Sequence, residues 1–430
     1  MKDKAKVFKT VMFSALGVLL AALIFFCGYF TFYLTLSDED KYMLWALDMI
    51  GDHYMMYDEE TGELVEYTPE DYVKALAAGL GLDDYSLFYT AAEYSDVVAT
   101  SWGNQYGVGV SFLQGETGTK IYAVTGNSPA DRAGVKAGGE ITAVEIGGTK
   151  TQTPSYEAFA AAIADLAEGE NFTLYVDYGA GEIAYEVKKE RFKQSYVRYA
   201  DSGTGLLFRG ENGETPQATE VAGEKQEFLP EDTGYIRYSS FMYTSAEQFE
   251  TALSFLLGRG RSKLILDLRG NGGGYMDVLT EMASFFIDNG KEKNTVAIAR
   301  AKTGKEQVFS TSENNAVSLR EVVVLADSGS ASASECLIGA LLFYGVIDDA
   351  HLVLTEENGR AATFGKGIMQ TTYVNPSFGG ALKLTTAYIY WPDGETCIHG
   401  KGIQTAEAQN RVPSQAEGDA QLLRAAEILS

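Results

Sequence analysis

Side chains suited to acyl-transfer chemistry occur in three short motifs within the second half of the chain. Residues 330–335 read Ser-Ala-Ser-Ala-Ser-Glu and lie between the apolar runs 322–325 and 336–344. These runs predict a buried strand followed by a helix, and Ser332 with Glu335 fits a capping box at the start of that helix. Ser332 is therefore expected beside backbone N–H groups without helical partners, where its hydroxyl can be a nucleophile and those N–H groups can bind an oxyanion. The alternative is a serine that only caps a helix.

A glycine-rich turn is the second motif. Residues 267–274 read Asp-Leu-Arg-Gly-Asn-Gly-Gly-Gly and follow another apolar, strand-like run. A turn of this kind between a strand and a helix can cradle a phosphate. It has neither the Lys-Ser/Thr ending of a P-loop nor the spacing of a dinucleotide fingerprint, which argues against a nucleotide site. Its glycines can instead present a backbone N–H group to a reacting carbonyl.

A serine nucleophile needs a base, and lysine is the better candidate here. The three histidines, His53, His351 and His399, lie outside any evident active-site motif. Lys366 stands between two glycines in residues 363–367, Thr-Phe-Gly-Lys-Gly. Lowering a lysine pKa from about 10.4 to about 7 disfavours the charged form by roughly 4.6 kcal/mol, which burial can supply. Lys366 is therefore a candidate general base, and the alternative is an ordinary solvated lysine.

The elements that carry these motifs alternate between strands and helices, which is typical of an α/β core. Between Ser332 and Lys366, residues 348–360 are predicted to form a loop insertion. Residues 200–230 are rich in Gly, Glu and Thr and are predicted to be an irregular connection. The predicted strands cover 234–238, 264–268 and 322–325, and the predicted helices cover 245–257, a segment ending at 286, 336–344 and 415–429.

An apolar segment near the N-terminus predicts a membrane anchor. Residues 11–36 contain no charged side chain and are long enough to span a bilayer as a helix. Four lysines precede this segment and the acidic residues 38–40 follow it, so the N-terminus is expected in the cytoplasm and the remainder outside. A cleaved signal peptide is the alternative, but the segment is too long and lacks a clear small-x-small cleavage site. We therefore expect a single-pass protein of the cell membrane.

Composition limits the remaining classes of function. The chain has 430 residues, enough for two or three domains, and its net charge of -25 argues against nucleic acid as a partner. Of the three cysteines, Cys27 lies in the predicted anchor, while Cys336 and Cys397 could pair or remain free thiols. No metal-ligand motif occurs in the sequence, so neither a metal nor another cofactor is expected.

Residues 104–190 resemble a PDZ domain of the bacterial type. Residues 106–110 alternate glycine with bulky side chains, and residues 127–130 (Asn-Ser-Pro-Ala) and 133–135 (Ala-Gly-Val) complete the pattern. The resemblance implies that the first of these segments binds the terminal carboxylate of a peptide through backbone N–H groups. The alternative is a glycine-rich hairpin without a ligand. The predicted peptide-binding residues are Tyr106, Gly107, Val108, Gly109 and Val110.

Taken in order, the motifs resemble those of the C-terminal processing peptidases, also called tail-specific proteases. The resemblance extends over about residues 40 to 405 and rests on the PDZ-like stretch and five shorter segments. It implies a crotonase/ClpP-like α/β core and a catalytic Ser/Lys dyad. The five segments are 82–86 (Leu-Asp-Asp-Tyr-Ser), 267–274, 330–335, 363–370 and 382–387 (Leu-Lys-Leu-Thr-Thr-Ala).

The same resemblance assigns a role to each candidate residue. Ser332 would be the nucleophile, Lys366 the general base, and Gln370 the residue that orients the lysine. The N–H groups of Ala333 and Gly273 would form the oxyanion hole.

Three features of the chain depart from the family pattern. Phe343 stands where some members carry an acidic residue, which leaves Gln370 as the third residue of the site. Residues 348–360 lengthen the interval between serine and lysine. Residues 402–406 read Gly-Ile-Gln-Thr-Ala where the family often has Gly-Ile-x-Pro-Asp.

The sequence thus predicts a membrane-anchored, extracytoplasmic serine endopeptidase that recognises substrate C-termini through a PDZ domain. A non-catalytic PDZ adaptor or pseudoprotease scaffold is the alternative, and an acyl-CoA enzyme of crotonase type fits neither export nor the PDZ-like insert. Expected partners are proteins or peptides with free C-termini and the membrane; the sequence does not decide between a monomer and a homo-oligomer. The predicted divisions are 1–38 (cytoplasmic tail and transmembrane anchor), 39–103 (helical region), 104–190 (PDZ-like domain), 191–232 (connecting segment), 233–410 (protease core) and 411–430 (C-terminal helix).

Overall fold

The computed structural model describes residues 16–20, 22–28, 31–32, 34–53, 67–112, 119–210, 218–226, 229–288, 290, 292–312, 315–377, 379–416 and 418–430. The chain forms two compact units, Met1–Gly81 and Leu82–Ser430. The helices are α1 (Asp38–His53), α2 (Pro69–Gly79), α3 (Ala91–Ser101), α4 (Pro129–Ala133), α5 (Tyr156–Ala162), α6 (Ser245–Gly258), α7 (Met276–Ser284), α8 (Ala333–Phe343) and α9 (Ala420–Leu429).

The strands all lie in the second unit, as far as the described residues extend. They are β1 (Leu87–Tyr89), β2 (Asn104–Gly107), β3 (Val110–Ser111), β4 (Ala123–Val124), β5 (Glu140–Ile146), β6 (Thr149–Gln152), β7 (Asn171–Asp177), β8 (Glu182–Lys188), β9 (Glu190–Lys193), β10 (Val197–Asp201), β11 (Leu206–Gly210), β12 (Ala218–Lys225), β13 (Thr233–Tyr238), β14 (Lys263–Asp267), β15 (Thr295–Ala301), β16 (Glu306–Ser310), β17 (Glu321–Ala326), β18 (Leu352–Glu357), β19 (Arg360–Ala361), β20 (Ile368–Val374), β21 (Ala381–Tyr390) and β22 (Arg411–Pro413).

The first unit contains the helices α1 and α2. Helix α2 begins as the sequence predicts, with Pro69 in its first turn and a capping box between Thr68 and Asp71. The predicted anchor, residues 11–36, falls partly outside the described residues. Among the residues that are described, we find no helix with the length and apolar character that a membrane crossing requires.

A nine-stranded sheet forms the centre of the second unit. Its strand order is β12-β11-β10-β13-β14-β17-β18-β19, with β22 paired to β18. Strands β13, β14, β17 and β18 run parallel to one another. Their apolar runs are buried on both faces, because α6, α7 and α8 cover one side and α9 covers the other. The mixed α/β content predicted for this part of the chain is confirmed.

Two segments differ from the sequence-based prediction. Residues 348–360, predicted to be a loop insertion, contain strand β18 of the nine-stranded sheet, and its residues Leu352 to Leu354 are completely buried. Residues 200–230, predicted to be irregular, contribute β11 and β12 to the sheet edge. Both predictions were wrong because these strands owe their conformation to pairing with distant strands rather than to a local apolar period.

A second sheet lies beside the parallel core and carries the segment around Lys366. Its order is β1-β21-β15-β16, with β20 paired to β21. Strand β1 pairs antiparallel with β21 through Leu87 and Lys383. The short segment before β1 is therefore held against the middle of β21. Residues 82–86 and 382–387, which are far apart in the sequence, become neighbours in this way.

Residues 104–190 build their own apolar core from β-strands and two short helices. Strands β5 to β8 form a four-stranded sheet in the order β6-β5-β7-β8, and the predicted hairpin is β7 with β8. The side chains of this core do not overlap with those of the nine-stranded sheet. Asp131 of α4 connects the two parts, because its carboxylate accepts hydrogen bonds from Arg198 of β10 and Arg209 of β11.

Candidate active site

Ser332 lies in the sharp turn that leads from β17 into α8. Its backbone has φ 57° and ψ -114°, a conformation that costs energy in any residue with a side chain. The turn places Ser332 at the N-terminus of α8, where backbone N–H groups have no partner within the helix. Its two neighbouring serines are tied to the glycine-rich turn, because Ser330 Oγ donates to Leu268 O and Ser334 Oγ donates to Asn271 O, each over 2.9 Å.

Glu335 joins the Ser332 turn to the segment that contains Lys366. Its side chain is completely buried, and one carboxylate oxygen accepts hydrogen bonds from the N–H groups of Ser332 and Lys366, each at 2.9 Å. The other oxygen accepts from Gly365 N at 2.8 Å and from the Thr363 hydroxyl at 2.5 Å. One buried carboxylate thus fixes the relative positions of both backbones.

The amine of Lys366 lies over the ring of Tyr85, with 4.5 Å between Nζ and the ring centroid. Burial lowers the pKa of this amine, and the nearby ammonium of Lys383 lowers it further. The carboxylates of Asp83 and Glu335 act in the opposite direction, but the pKa of Lys366 remains below its ordinary value. Both Ser332 and Lys366 are described residues, and no hydrogen bond joins their side chains.

Gly273 lies directly against the Ser332 turn. A Cβ atom at this position would be 2.8 Å from both Ser332 Cβ and Ala333 N, so only glycine allows the two backbones to come this close. The N–H group of Gly273 donates to Asn271 Oδ1 at 2.9 Å. Of the two predicted oxyanion donors, Gly273 is therefore engaged within its own turn, while Ala333 is the first residue of α8.

Comparison with known proteins identifies the part of the chain that carries this site. Residues 232–407 match the model of peptidase family S41. They form a serine peptidase domain of family S41. The domain contains Ser332, Glu335 and Lys366, together with the glycine-rich turn.

Relatives of this peptidase share its sequence at moderate identity. The chain is 29% identical over 394 residues to the carboxy-terminal processing protease CtpB of Bacillus subtilis, which covers 90% of this chain and 72% of that protein. It is 27% identical over 327 residues to a CtpA-like serine protease of Staphylococcus aureus, covering 75% of this chain and 56% of that protein. Among solved structures, the photosystem II D1 C-terminal processing protease covers 90% of this chain at 20% identity and a TM-score of 0.48.

In the peptidase domain, Gln370 does not contact the amine of Lys366. Its side-chain N–H group donates to Thr385 Oγ1 at 3.0 Å, from the position where β20 and β21 have a register shift. Thr385 in turn hydrogen-bonds Asp83, and its N–H group donates to Ser86 Oγ at 3.0 Å. Gln370 thus belongs to a network that holds residues 83–86, and this network places Tyr85 beneath Lys366.

The predicted peptide-binding segment of the peptidase borders a cleft of about 400 Å³. Tyr106, Val108, Gly109 and Val110 line it, whereas Gly107 does not. The opposite side is formed by α5, and Phe112 contacts the rings of Tyr156 and Phe159 at centroid distances of 5.5 and 5.8 Å. The cleft is therefore bordered by the edge strand β3 and a helix, and its lining combines aromatic and aliphatic side chains with polar ones.

Sequence reasoning missed how the buried carboxylate and the second lysine contribute to the peptidase site. Glu335 was assigned only to a cap, and its bonds to residues 363–366 depend on the packing of two distant segments. Lys383 was noticed only within a family motif. A glutamate within an otherwise apolar helix was the available signal, because a buried charge requires partners.

Proposed function

We propose that this chain is an extracytoplasmic serine endopeptidase that cleaves proteins near their C-termini, with residues 11–36 as its membrane anchor. Ser332 acts as the nucleophile and Lys366 as the general base. The neutral amine takes the Ser332 proton while the alkoxide attacks a peptide carbonyl. The amine half of the substrate leaves with a proton from Lys366, and water then hydrolyses the acyl-enzyme ester.

The observation that carries this proposal is the double attachment of Glu335. It holds the backbone N–H groups of Ser332 and Lys366 on one carboxylate oxygen, so the two residues are adjacent although 34 positions apart in the sequence. Burial of the lysine amine lowers its pKa, which increases the neutral fraction that can act as a base. These two features together favour a serine–lysine dyad over an ordinary helix cap and a solvated lysine.

Catalysis requires two local adjustments of this arrangement. The amine of Lys366 must leave the ring of Tyr85 and reach Ser332 Oγ. The N–H group of Gly273 must turn from Asn271 toward the substrate oxyanion, where it would act together with Ala333 N–H. Gln370 acts indirectly in this scheme, since it holds Thr385 and thereby the segment that contains Tyr85.

Residues 104–190 supply substrate recognition in the proposed function. The cleft between β3 and α5 has the form expected for an extended peptide that pairs with a strand edge. A free C-terminal carboxylate would be bound by backbone N–H groups of residues 106–110, with an apolar side chain in the cleft. The chain spans 72% of the Bacillus protein and 56% of the Staphylococcus protein, so their activities remain a guide to this proposal only.

The dyad is tested with Ser332→Ala and Lys366→Ala variants of the full chain. Each is expected to lower the cleavage of an unfolded protein with an apolar tail by at least about 1,000-fold, because removal of either member disables the nucleophile. The measurements are peptide release and labelling of Ser332 by a fluorophosphonate. Lys305→Ala, which changes an exposed lysine, serves as the control.

The outcome also separates the enzyme from a PDZ adaptor with a protease-like body. Undiminished cleavage by either dyad variant contradicts the assignment of the dyad. Binding of the tail peptide by the unmodified chain, without turnover or labelling, would favour the adaptor. The adaptor is tested because the amine of Lys366 lies over the ring of Tyr85 and, within the residues that the structure describes, is not hydrogen-bonded to Ser332.

A further inference from the structure

Three aromatic side chains form a continuous strip, which we call the aromatic strip: Trp102, Tyr243 and Tyr275. The centroids of Trp102 and Tyr243 are 4.8 Å apart with the rings inclined by 30°. Those of Tyr243 and Tyr275 are 4.3 Å apart with the rings inclined by 24°. Trp102 is 51% exposed and the two tyrosines are half-buried. The exposed ring of Trp102 and the solvent-facing edges of the two tyrosines therefore form an apolar strip at the surface.

Backbone hydrogen bonds fix the positions of the three residues. Tyr243 N–H donates to Ser101 O at 3.1 Å, which ties the loop after β13 to the end of α3. Tyr275 N–H donates to Phe241 O at 2.8 Å, and Phe241 N–H donates to Gly273 O at 3.0 Å. The aromatic strip is thus part of a rigid backbone arrangement that includes the glycine-rich turn.

One end of the aromatic strip adjoins the reactive serine. Tyr275 is two residues beyond Gly273, whose backbone lies against the Ser332 turn. The other end adjoins residues 104–190, because Trp102 is separated from β2 by Gly103 alone. Strand β2 ends at Gly107, next to the segment that borders the peptide cleft. The backbone thus leads from the strip to the Ser332 turn at one end and toward the tail-binding cleft at the other.

The dimensions suit an extended polypeptide. Extended chain advances by about 3.3 Å per residue, so the two ring-to-ring distances correspond to about three residues of substrate. Ring edges and uncovered ring faces bind apolar and aromatic side chains without requiring a defined hydrogen-bond pattern. The stretch of substrate between a bound tail and the cleaved bond would therefore meet an apolar surface.

We infer that the aromatic strip is a substrate subsite that binds an apolar segment lying between the cleaved bond and the C-terminal tail. The inference rests on the proposed function and adds a second determinant of substrate specificity to it. Tail binding selects the end of the polypeptide, whereas the aromatic strip selects the residues that precede it. The occupant is one chemical class, an unfolded polypeptide with aliphatic or aromatic side chains in this segment.

Two peptides with the same cleaved bond and the same apolar tail test the inference. They differ only in the three intervening residues, which are aliphatic and aromatic in one peptide and glycine and serine in the other. The full chain is expected to prefer the apolar peptide about tenfold in kcat/KM. Trp102→Ala should abolish that preference through an increase in KM for the apolar peptide, while Trp102→Phe should retain most of it. Tyr122→Ala, at another exposed aromatic residue, is the control.

A binding experiment keeps the test independent of turnover. In the Ser332→Ala variant, the fluorescence of Trp102 should change when the apolar peptide binds, and Trp102→Phe should remove that change. Equal affinity for the two peptides would overturn the inference. An equal loss of both cleavage rates in Trp102→Ala would also overturn it, because such a loss indicates a structural role for Trp102. If the unaltered chain neither cleaves the peptides nor is labelled at Ser332, but still binds the apolar peptide more tightly, only the proposed function is contradicted.

Discussion

Burial lowers the pKa of Lys366, and the charges of its immediate neighbours modify it further. Lys383 projects from β21 and is half-buried, and burial lowers its own pKa. No ion pair involves Lys383 in the described part of the chain. Its charge acts on Lys366 together with burial, against the carboxylates of Asp83 and Glu335. Two lysines in one partly buried region make it easier for one of them to lose its proton.

Replacing Lys383 by methionine should therefore raise the pKa of Lys366. Only the neutral amine is a base, so activity is lost as pH falls through the pKa of Lys366. The acid limb of the pH profile should move to higher pH in Lys383→Met, and activity near neutral pH should fall. The measurement is kcat/KM between about pH 6 and pH 10.

Lys305→Met, at an exposed lysine of the same charge, is expected to leave the profile where it is. A midpoint that is unchanged or moves to lower pH in Lys383→Met would contradict the assignment of Lys366 as the base.

At the scale of elements, Glu335 joins helix α8 to the segment before β20. Each of its oxygens accepts two hydrogen bonds, so replacing either oxygen by a hydrogen-bond donor would remove two of these bonds. Glu335→Gln turns one oxygen into an NH₂ group that faces two donors. We expect a loss of about 1–3 kcal/mol in the free energy of unfolding and a fall of at least about tenfold in kcat. Thermal unfolding and steady-state kinetics provide the two measurements.

Glu357→Gln is the matched control, because Glu357 is an exposed carboxylate whose hydrogen bond is made to a surface serine. It should change neither quantity appreciably. A folded Glu335→Gln variant with unchanged kcat would show that the shared carboxylate is not needed to align the two segments.

Elements with strong local patterns were predictable, and those that depend on distant partners were not. The run 322–325 predicted β17, and residues 245–257 predicted α6 almost to its ends. Strand β18 has only three completely buried apolar residues between polar ones, so its local pattern is indistinguishable from that of a loop. The position of Lys366 over Tyr85 follows from the pairing of β1 with β21, which no local pattern encodes.

At the scale of the molecule, Asp131 attaches residues 104–190 to the nine-stranded sheet. Asp131 is 7% exposed. Its carboxylate accepts hydrogen bonds from two arginines, one on β10 and one on β11. Arg209 is itself buried. The attachment is therefore electrostatic and largely buried, so removing one partner leaves an uncompensated charge and costs more than breaking a surface ion pair.

Asp131→Asn should weaken this attachment, because it removes the negative charge that faces both arginines. We expect the free energy of unfolding to fall by about 2–4 kcal/mol and the amides of α4 to exchange faster with solvent. Denaturant unfolding and hydrogen exchange provide the measurements. Asp165→Asn, at an exposed carboxylate, should leave both unchanged. Equal stability of Asp131→Asn and the unaltered chain would indicate that apolar contacts alone hold the two parts together.

The shared carboxylate also limits which parts of the peptidase would have to move for it to switch on. Because Glu335 clamps the main chain at both Ser332 and Lys366, the amine can travel from the Tyr85 ring to the serine by rotation about its own side-chain bonds. Rotations of a side chain are much faster than loop rearrangements. Delivery of the base to Ser332 would then need no change of the main chain at either residue, in contrast to the turn of the Gly273 N–H group that the oxyanion hole requires.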